Sequence, residues 1–153
     1  MRNFFLFISL LFSTCGMVAQ TPLMKLEGKQ HYQVAINVKE AEISGICIIK
    51  TDDEGSRGAV VNEFGIHALD FTISPNRRKV KLVNVMPFMN RWYIKKVVCG
   101  DLKFLFSATA EKQRKGKRSV SVEADGTVTL VNSRYGLKYS FLEIRNKDDE
   151  TAE

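Results

Sequence analysis

From residue 29 onward, apolar and polar residues alternate in short runs separated by turn-forming residues. QHYQVAINV sets Tyr32, Val34, Ile36 and Val38 on one side and Gln33 and Asn37 on the other, the period-two signature of a half-buried strand. EISGICIIK is apolar on both sides and predicts a strand covered on both faces. Asp52-Asp53-Glu54-Gly55 is a turn, with a glycine able to take positive φ. SRGAVVNEF is the next strand. Gly65 then turns the chain into IHALDFTI, where Leu69, Phe71 and Ile73 share a face opposite Ala68, Asp70 and Thr72. Ser74-Pro75-Asn76 breaks the pattern, and KVKLVNV sets Val80 and Leu82 against Lys79 and Lys81. These five runs predict an antiparallel meander joined by tight hairpins.

Pro87 changes the period. PFMNRWYIKKVVCG predicts a helix with proline in its first turn and Gly100 as its stop. Asp101 would cap a short continuation, DLKFLFSA. Phe88, Trp92 and Cys99 share a helix face with Met89 nearby, while Tyr93, Ile94, Val97 and Val98 spread around the remainder. A helix apolar nearly all round is expected to be buried on several sides. EKQRKGKR reads as a basic loop. SVSVEADGTVTLVNSRYGLKYSFLEIR predicts three more strands, with Asp125-Gly126 the strongest hairpin signal in the chain. Val120, Val122, Val128, Leu130, Leu137, Tyr139 and Phe141 supply their apolar face. A sheet with one apolar face must cover it, and one helix cannot cover eight strands unless the sheet curls around it. The expected fold is therefore mainly β with one helix (α+β): a curved antiparallel half-barrel with a helical lid across its mouth or concave side.

The ends of the chain differ from the body. Residues 1–19 carry one basic residue, Arg2, then an apolar stretch from Phe4 to Phe12, then small residues, the order of a secretory signal. The stretch is shorter than the roughly 20 residues of a membrane span, and no later segment is long and apolar enough, so no transmembrane span is expected. Phe12-Ser13-Thr14-Cys15 approximates a lipoprotein processing site, whereas cleavage after Gly16 or Ala19 would discard Cys15. Residues 20–28 are expected to be a short spacer, 29–145 the half-barrel domain, and 146–153 an acidic disordered tail. The formal charge is +6; losing Arg2 leaves +5, and losing the tail, with one lysine against four acids, leaves +8. A basic domain attracts anionic partners such as lipid head groups, and export argues against nucleic acid. Cys47 and Cys99 are too few for a disulfide framework, and their apolar neighbours favour two buried thiols.

Catalytic and metal signatures are scarce. His31 and His67 lack the closely spaced partners of a metal site, so both read as partly buried strand positions. Asp52, Asp53 and Glu54 lack the alternating spacing of a calcium loop. Ser44-Gly45 lacks the flanking glycines of a nucleophile elbow, and Gly116 has no phosphate-loop spacing. Asp70 reads as a solvent-facing strand residue that, if buried, would need a partner such as Arg91 or a backbone amide. No catalytic residue, metal or cofactor is expected.

The order SGICIIKTDDEGSRGAVVNEFGIHALDFTI, a basic strand, then MPFMNRWYIKKVVCGDLKFLF resembles small exported lipoproteins related to the outer-membrane receptor of the bacterial lipoprotein-localisation system. The similarity covers roughly residues 32–106. It implies a half-open barrel with a helical lid and an apolar interior that holds acyl chains. It also tips Cys15 towards being a lipid anchor. Phe64 beside Gly65 is the only apolar candidate for that receptor's membrane-inserting hairpin tip.

The expected function is a non-enzymatic, monomeric envelope protein, periplasmic or at the outer membrane. It would bind a lipid or the acyl chain of a lipoprotein. Its cavity candidates are Phe88, Trp92, Tyr93, Leu69, Phe71, Tyr139 and Phe141, whose alternative is plain core packing. Arg77, Arg78, Lys95 and Lys96 are the expected contacts to an anionic membrane surface, whose alternative is exposed loop charge. The competing class is a structural or assembly component acting through a protein surface.

Overall fold

The computed structural model describes residues 20–38 and 41–145. The expected signal region with Cys15 and the acidic tail lie outside them. The alternating runs become β1 (Lys29–Val38), β2 (Ala41–Asp52), β3 (Gly55–Asn62), β4 (His67–Ile73) and β5 (Val80–Val85). A 3-10 turn at Pro87–Met89 leads into the helix α1 (Trp92–Ser107). The chain then forms β6 (Arg114–Lys115), β7 (Arg118–Val122), β8 (Val128–Asn132) and β9 (Leu137–Glu143). All nine strands join one antiparallel sheet in the order β5-β4-β3-β2-β1-β9-β8-β7-β6. The sheet is open and curled, so the α+β half-barrel is observed. Among the described residues no helix is long and apolar enough to cross a membrane.

The concave face forms because inward residues stay in phase across strands. Val34 pairs with Phe141, Ile36 with Tyr139 and Tyr32 with Cys47, and Cys47 in turn pairs with Val60. All seven are buried. From Val98 onward α1 lies in this concavity and buries Val98, Leu102, Leu105 and Phe106. Phe106 is central: its ring lies 5.5 Å from Phe71 and 6.3 Å from Phe141, and Phe141 lies 6.2 Å from Tyr32. Four aromatic side chains thus fill one end of the half-barrel, each adding edge or tilted ring contact to its apolar burial.

Several expectations are corrected. Gly100 does not stop the helix, because α1 continues through it to Ser107. Only the second half of α1 is buried on several sides; Trp92 and Tyr93 in its first turn are exposed. β2 is covered on one face only, with Cys47 and Ile49 inside and Ile46 exposed outside. His67 is mostly exposed, because β-bulges at Val60/Val61 and Asp70/Phe71 interrupt the simple alternation at this end of β4. The basic loop contains the short edge strand β6.

Residues 20–28 are held against the domain. Leu23 N–H donates to Ala108 O at 2.9 Å, and Met24 and Leu26 are buried. Arg77 has φ of 56°, a left-handed conformation uncommon outside glycine. Its Nη1 donates to Met24 O at 2.7 Å and to Phe106 O at 3.1 Å. One side chain therefore ties the N-terminal segment to the last turn of α1, where carbonyls lack helical partners.

Gly58 shows what the aromatic plug requires. A Cβ at this position would overlap the Phe71 ring. Gly58→Ala is expected to lower stability by about 1–3 kcal/mol, because overpacking outweighs the roughly 0.4–1 kcal/mol gained by stiffening the unfolded chain. Urea melts check this, and a variant as stable as the parent would disprove the tight Gly58–Phe71 packing.

Candidate functional site

The other end of the concavity is not filled. Between the first half of α1 and the C-terminal strands lies a cleft of about 1260 Å³. Its floor is apolar: Ile43 of β2, Ile36 and Val38 of β1, and Leu137 and Tyr139 of β9. The register places Ile43, Ile36 and Tyr139 in one row across three adjacent strands. One wall is Phe88, Trp92, Tyr93 and Val97 from the 3-10 turn and α1. Trp92 and Tyr93 meet edge to face at 5.9 Å. Trp92 is 75% exposed and Phe88 58% exposed. The opposite wall is the β6–β7 turn with Lys115 and Lys117, and the β8–β9 turn with Arg134 and Tyr135. Arg134 lies over the Tyr135 ring at 5.5 Å.

A buried polar cluster closes the bottom. Asp101 is fully buried. Its carboxylate accepts hydrogen bonds from Arg118 Nε at 2.5 Å, Asn132 Nδ2 at 2.8 Å and Tyr139 Oη at 2.9 Å. A buried carboxylate is tolerated only when paired and hydrogen-bonded, and this one has both. Burial, and then the adjacent carboxylate, pushes the Tyr139 phenol far above its ordinary range, so it remains a donor. Gly100 explains itself here: a Cβ would come within 2.9 Å of Arg118 Nη2. The missing side chain lets the guanidinium lie across the helix and reach Asp101. Arg118 lines the cleft as well as binding Asp101, which links the buried cluster to the cavity surface.

The expected site residues divide into two groups. Phe88, Trp92, Tyr93 and Tyr139 line the cleft together. Leu69, Phe71 and Phe141 are buried in the core, the two phenylalanines in the plug at the other end. Among the expected basic contacts, Lys96 lines the cleft. Lys95 donates to Asn90 Oδ1 at 3.0 Å, Arg77 serves the N-terminal tie, and Arg78 lies in the β4–β5 turn away from the cleft.

Other candidates fall outside the cleft. Asp70 is on the outer side with His67 Nδ1 at 3.0 Å and Asn84 Nδ2 at 2.9 Å, rather than with Arg91. Partial desolvation pushes the Asp70 carboxyl up, but the His67 and Asn84 hydrogen bonds outweigh it and hold the group below its ordinary value. Cys47 and Cys99 are free thiols. Burial pushes the Cys47 thiol up to about 12, which keeps it protonated and unreactive. Cys99 is half-buried and donates to Val80 O at 2.7 Å. Among the described residues, no three His, Cys, Asp or Glu side chains gather as a metal site.

Sequence reasoning missed Asn132 and the role of Arg118, and its reading of Asp101 as a cap is corrected: Asp101 lies inside α1 and its carboxylate is a buried acceptor. One signal was present: Asp101 falls in step with Val98, Leu102 and Leu105, which puts an acid on the buried face of the helix. No protein-family model matches the chain, and no curated protein is significantly similar to it. The class rests on the fold: an open, curled antiparallel sheet with one helix in its concavity.

Asp101→Asn is expected to cost about 3 kcal/mol, since it strips Arg118 of its counter-charge and, with Oδ1 kept for Arg118 and Asn132, sets an amide NH2 group against the Tyr139 hydroxyl. Tyr139→Phe should cost about 1–3 kcal/mol by removing one of the carboxylate's hydrogen bonds. Denaturant midpoints of the two single variants and the double variant measure the coupling, and strictly additive losses would show that the cluster does not act as a unit.

Proposed function

We propose that this chain is a non-enzymatic cell-envelope protein that holds a hydrophobic ligand, a lipid or the acyl chain of a lipoprotein, in its cleft. The observation that carries the reading is the cleft itself: apolar floor, exposed aromatic wall and a volume of about 1260 Å³. Ligand sites are concave, mostly apolar and about 300–1,000 Å³, so this one has room for a chain larger than a typical small ligand. Each 100 Å² of acyl surface taken from water contributes about 2.5 kcal/mol before the cost of immobilising the chain. Trp92, Tyr93 and Phe88 add little to the folded core because they stand largely in solvent. A bound chain would give them a partner.

The resemblance to exported lipoproteins of the lipoprotein-localisation type agrees with this reading. So does the β3–β4 turn, where Phe64 is 78% exposed beside exposed Ile66. An apolar hairpin tip of this kind can enter the head-group region of a membrane. In the same reading Cys15 carries a lipid that holds the protein at the envelope.

Native mass spectrometry of protein incubated with envelope lipids is expected to show a bound lipid. Trp92→Ala combined with Tyr93→Ala should weaken binding by about tenfold or more, as expected for loss of aromatic anchors, while the melting temperature stays near the parent's. Absence of lipid, together with co-purification of a stable protein partner, would favour an assembly component instead. Metabolic labelling with a fatty-acid probe is expected to mark the parent but not Cys15→Ser; an unlabelled parent would remove the anchor from the proposal.

A further inference from the structure

The cleft is electrically lopsided. Among the described residues, five cationic side chains line it, Lys96, Lys115, Lys117, Arg118 and Arg134, and no aspartate or glutamate does. Of the five, only Arg118 has a carboxylate partner among the described residues. Four of them sit on the wall made by the β6–β7 and β8–β9 turns. That wall is one unit: Arg118 pairs with Asn132 across β7 and β8, and Ser133 N–H donates to Lys117 O at 2.9 Å. From there the floor runs over β9 and β1 to β2, through Leu137, Tyr139, Ile36 and Ile43, with no charged side chain in that row.

We infer that the cleft takes an amphiphile with a single oxyanion head group, carboxylate or phosphate, held at the β6–β7 and β8–β9 turns with its chain laid across β9 and β1 towards Ile43. This deepens the lipid-binding proposal and rests on it. Like charges gathered at one concave wall concentrate anions there and repel cations. Arg118 is held in place by Asp101 Oδ1 through Nε, with Nη2 lying over Gly100, and it still lines the cleft. Lys115, Lys117 and Arg134 supply the uncompensated charge. A neutral chain would gain only the floor, and a cationic amphiphile would meet repulsion.

Titration of the purified full chain with dodecanoate, dodecanol and dodecyltrimethylammonium, each below its micelle concentration, separates head from tail. The chain has one tryptophan, Trp92, which lies on the cleft and reports occupancy by fluorescence. Dodecanoate is expected to bind about tenfold or more tightly than dodecanol, and the cation most weakly, with the acid's advantage shrinking as salt is raised. Replacing Lys115, Lys117 and Arg134 together by Gln should remove most of that advantage. Equal binding of acid and alcohol by the parent would overturn the head-group inference while leaving lipid binding intact. Binding of none of the three would overturn lipid binding and this inference with it. Inorganic phosphate distinguishes the source of the charge: it should displace dodecanoate only weakly, and competition as strong as dodecanoate's own would mean a free-anion site instead of an amphiphile site.

Discussion

The arrangement depends on one buried carboxylate. Asp101 stands at the middle of α1 and collects Arg118 from β7, Asn132 from β8 and Tyr139 from β9. A charge in this position is costly unless every partner is present, so the helix can settle at only one height and rotation against the C-terminal strands. Apolar packing alone tolerates sliding and repacking; a carboxylate with three directed donors does not. The same contact sets where the filled part of the concavity ends and the open part begins.

On one side of Asp101, Leu102, Leu105 and Phe106 press into the sheet and join the aromatic plug. On the other, α1 carries Trp92 and Tyr93 along the wall of the cleft. Buried and exposed apolar surface are therefore separated along a single helix. The second half supplies burial, and the first half supplies a surface that the folded chain does not use for itself. Gly100 lies at the junction, small enough for the Arg118 guanidinium to cross.

Much of the sheet could be read from the residues, because a half-buried antiparallel strand writes its two faces as alternation. Each predicted strand run has a counterpart, and the single helix and the curl followed from counting faces. What could not be read depended on partners distant in sequence. EISGICIIK looks two-sided because Ile46 and Ile48 are apolar, yet Ile46 is exposed and Ile48 only half-buried, and among the described residues no helix covers that outer face. Gly100 looks like a stop because local propensity makes it one, whereas an arginine eighteen positions later gives it a different reason. Phe88, Trp92, Tyr93 and Tyr139 line the cleft, but Leu69, Phe71 and Phe141 carry the same signature and are buried in the core, the two phenylalanines in the plug. Hydrophobicity marks which residues face inward. It does not say which part of the interior is full.

The strand order has a kinetic consequence. β1 lies beside β9 at the centre of the sheet, so Val34 and Phe141, from opposite ends of the described chain, are direct neighbours. The strands on either side of that seam are joined by short turns and can zip locally, but the seam itself closes a very long loop and pays its entropy before any contact rewards it. Until β9 arrives, β1 presents an unpaired row of backbone donors and acceptors where the finished sheet has its middle. An open edge of this kind is a template for another chain. A polypeptide lacking β9 therefore carries its aggregation hazard at the centre of the sheet, and the docking of β9 is what removes it.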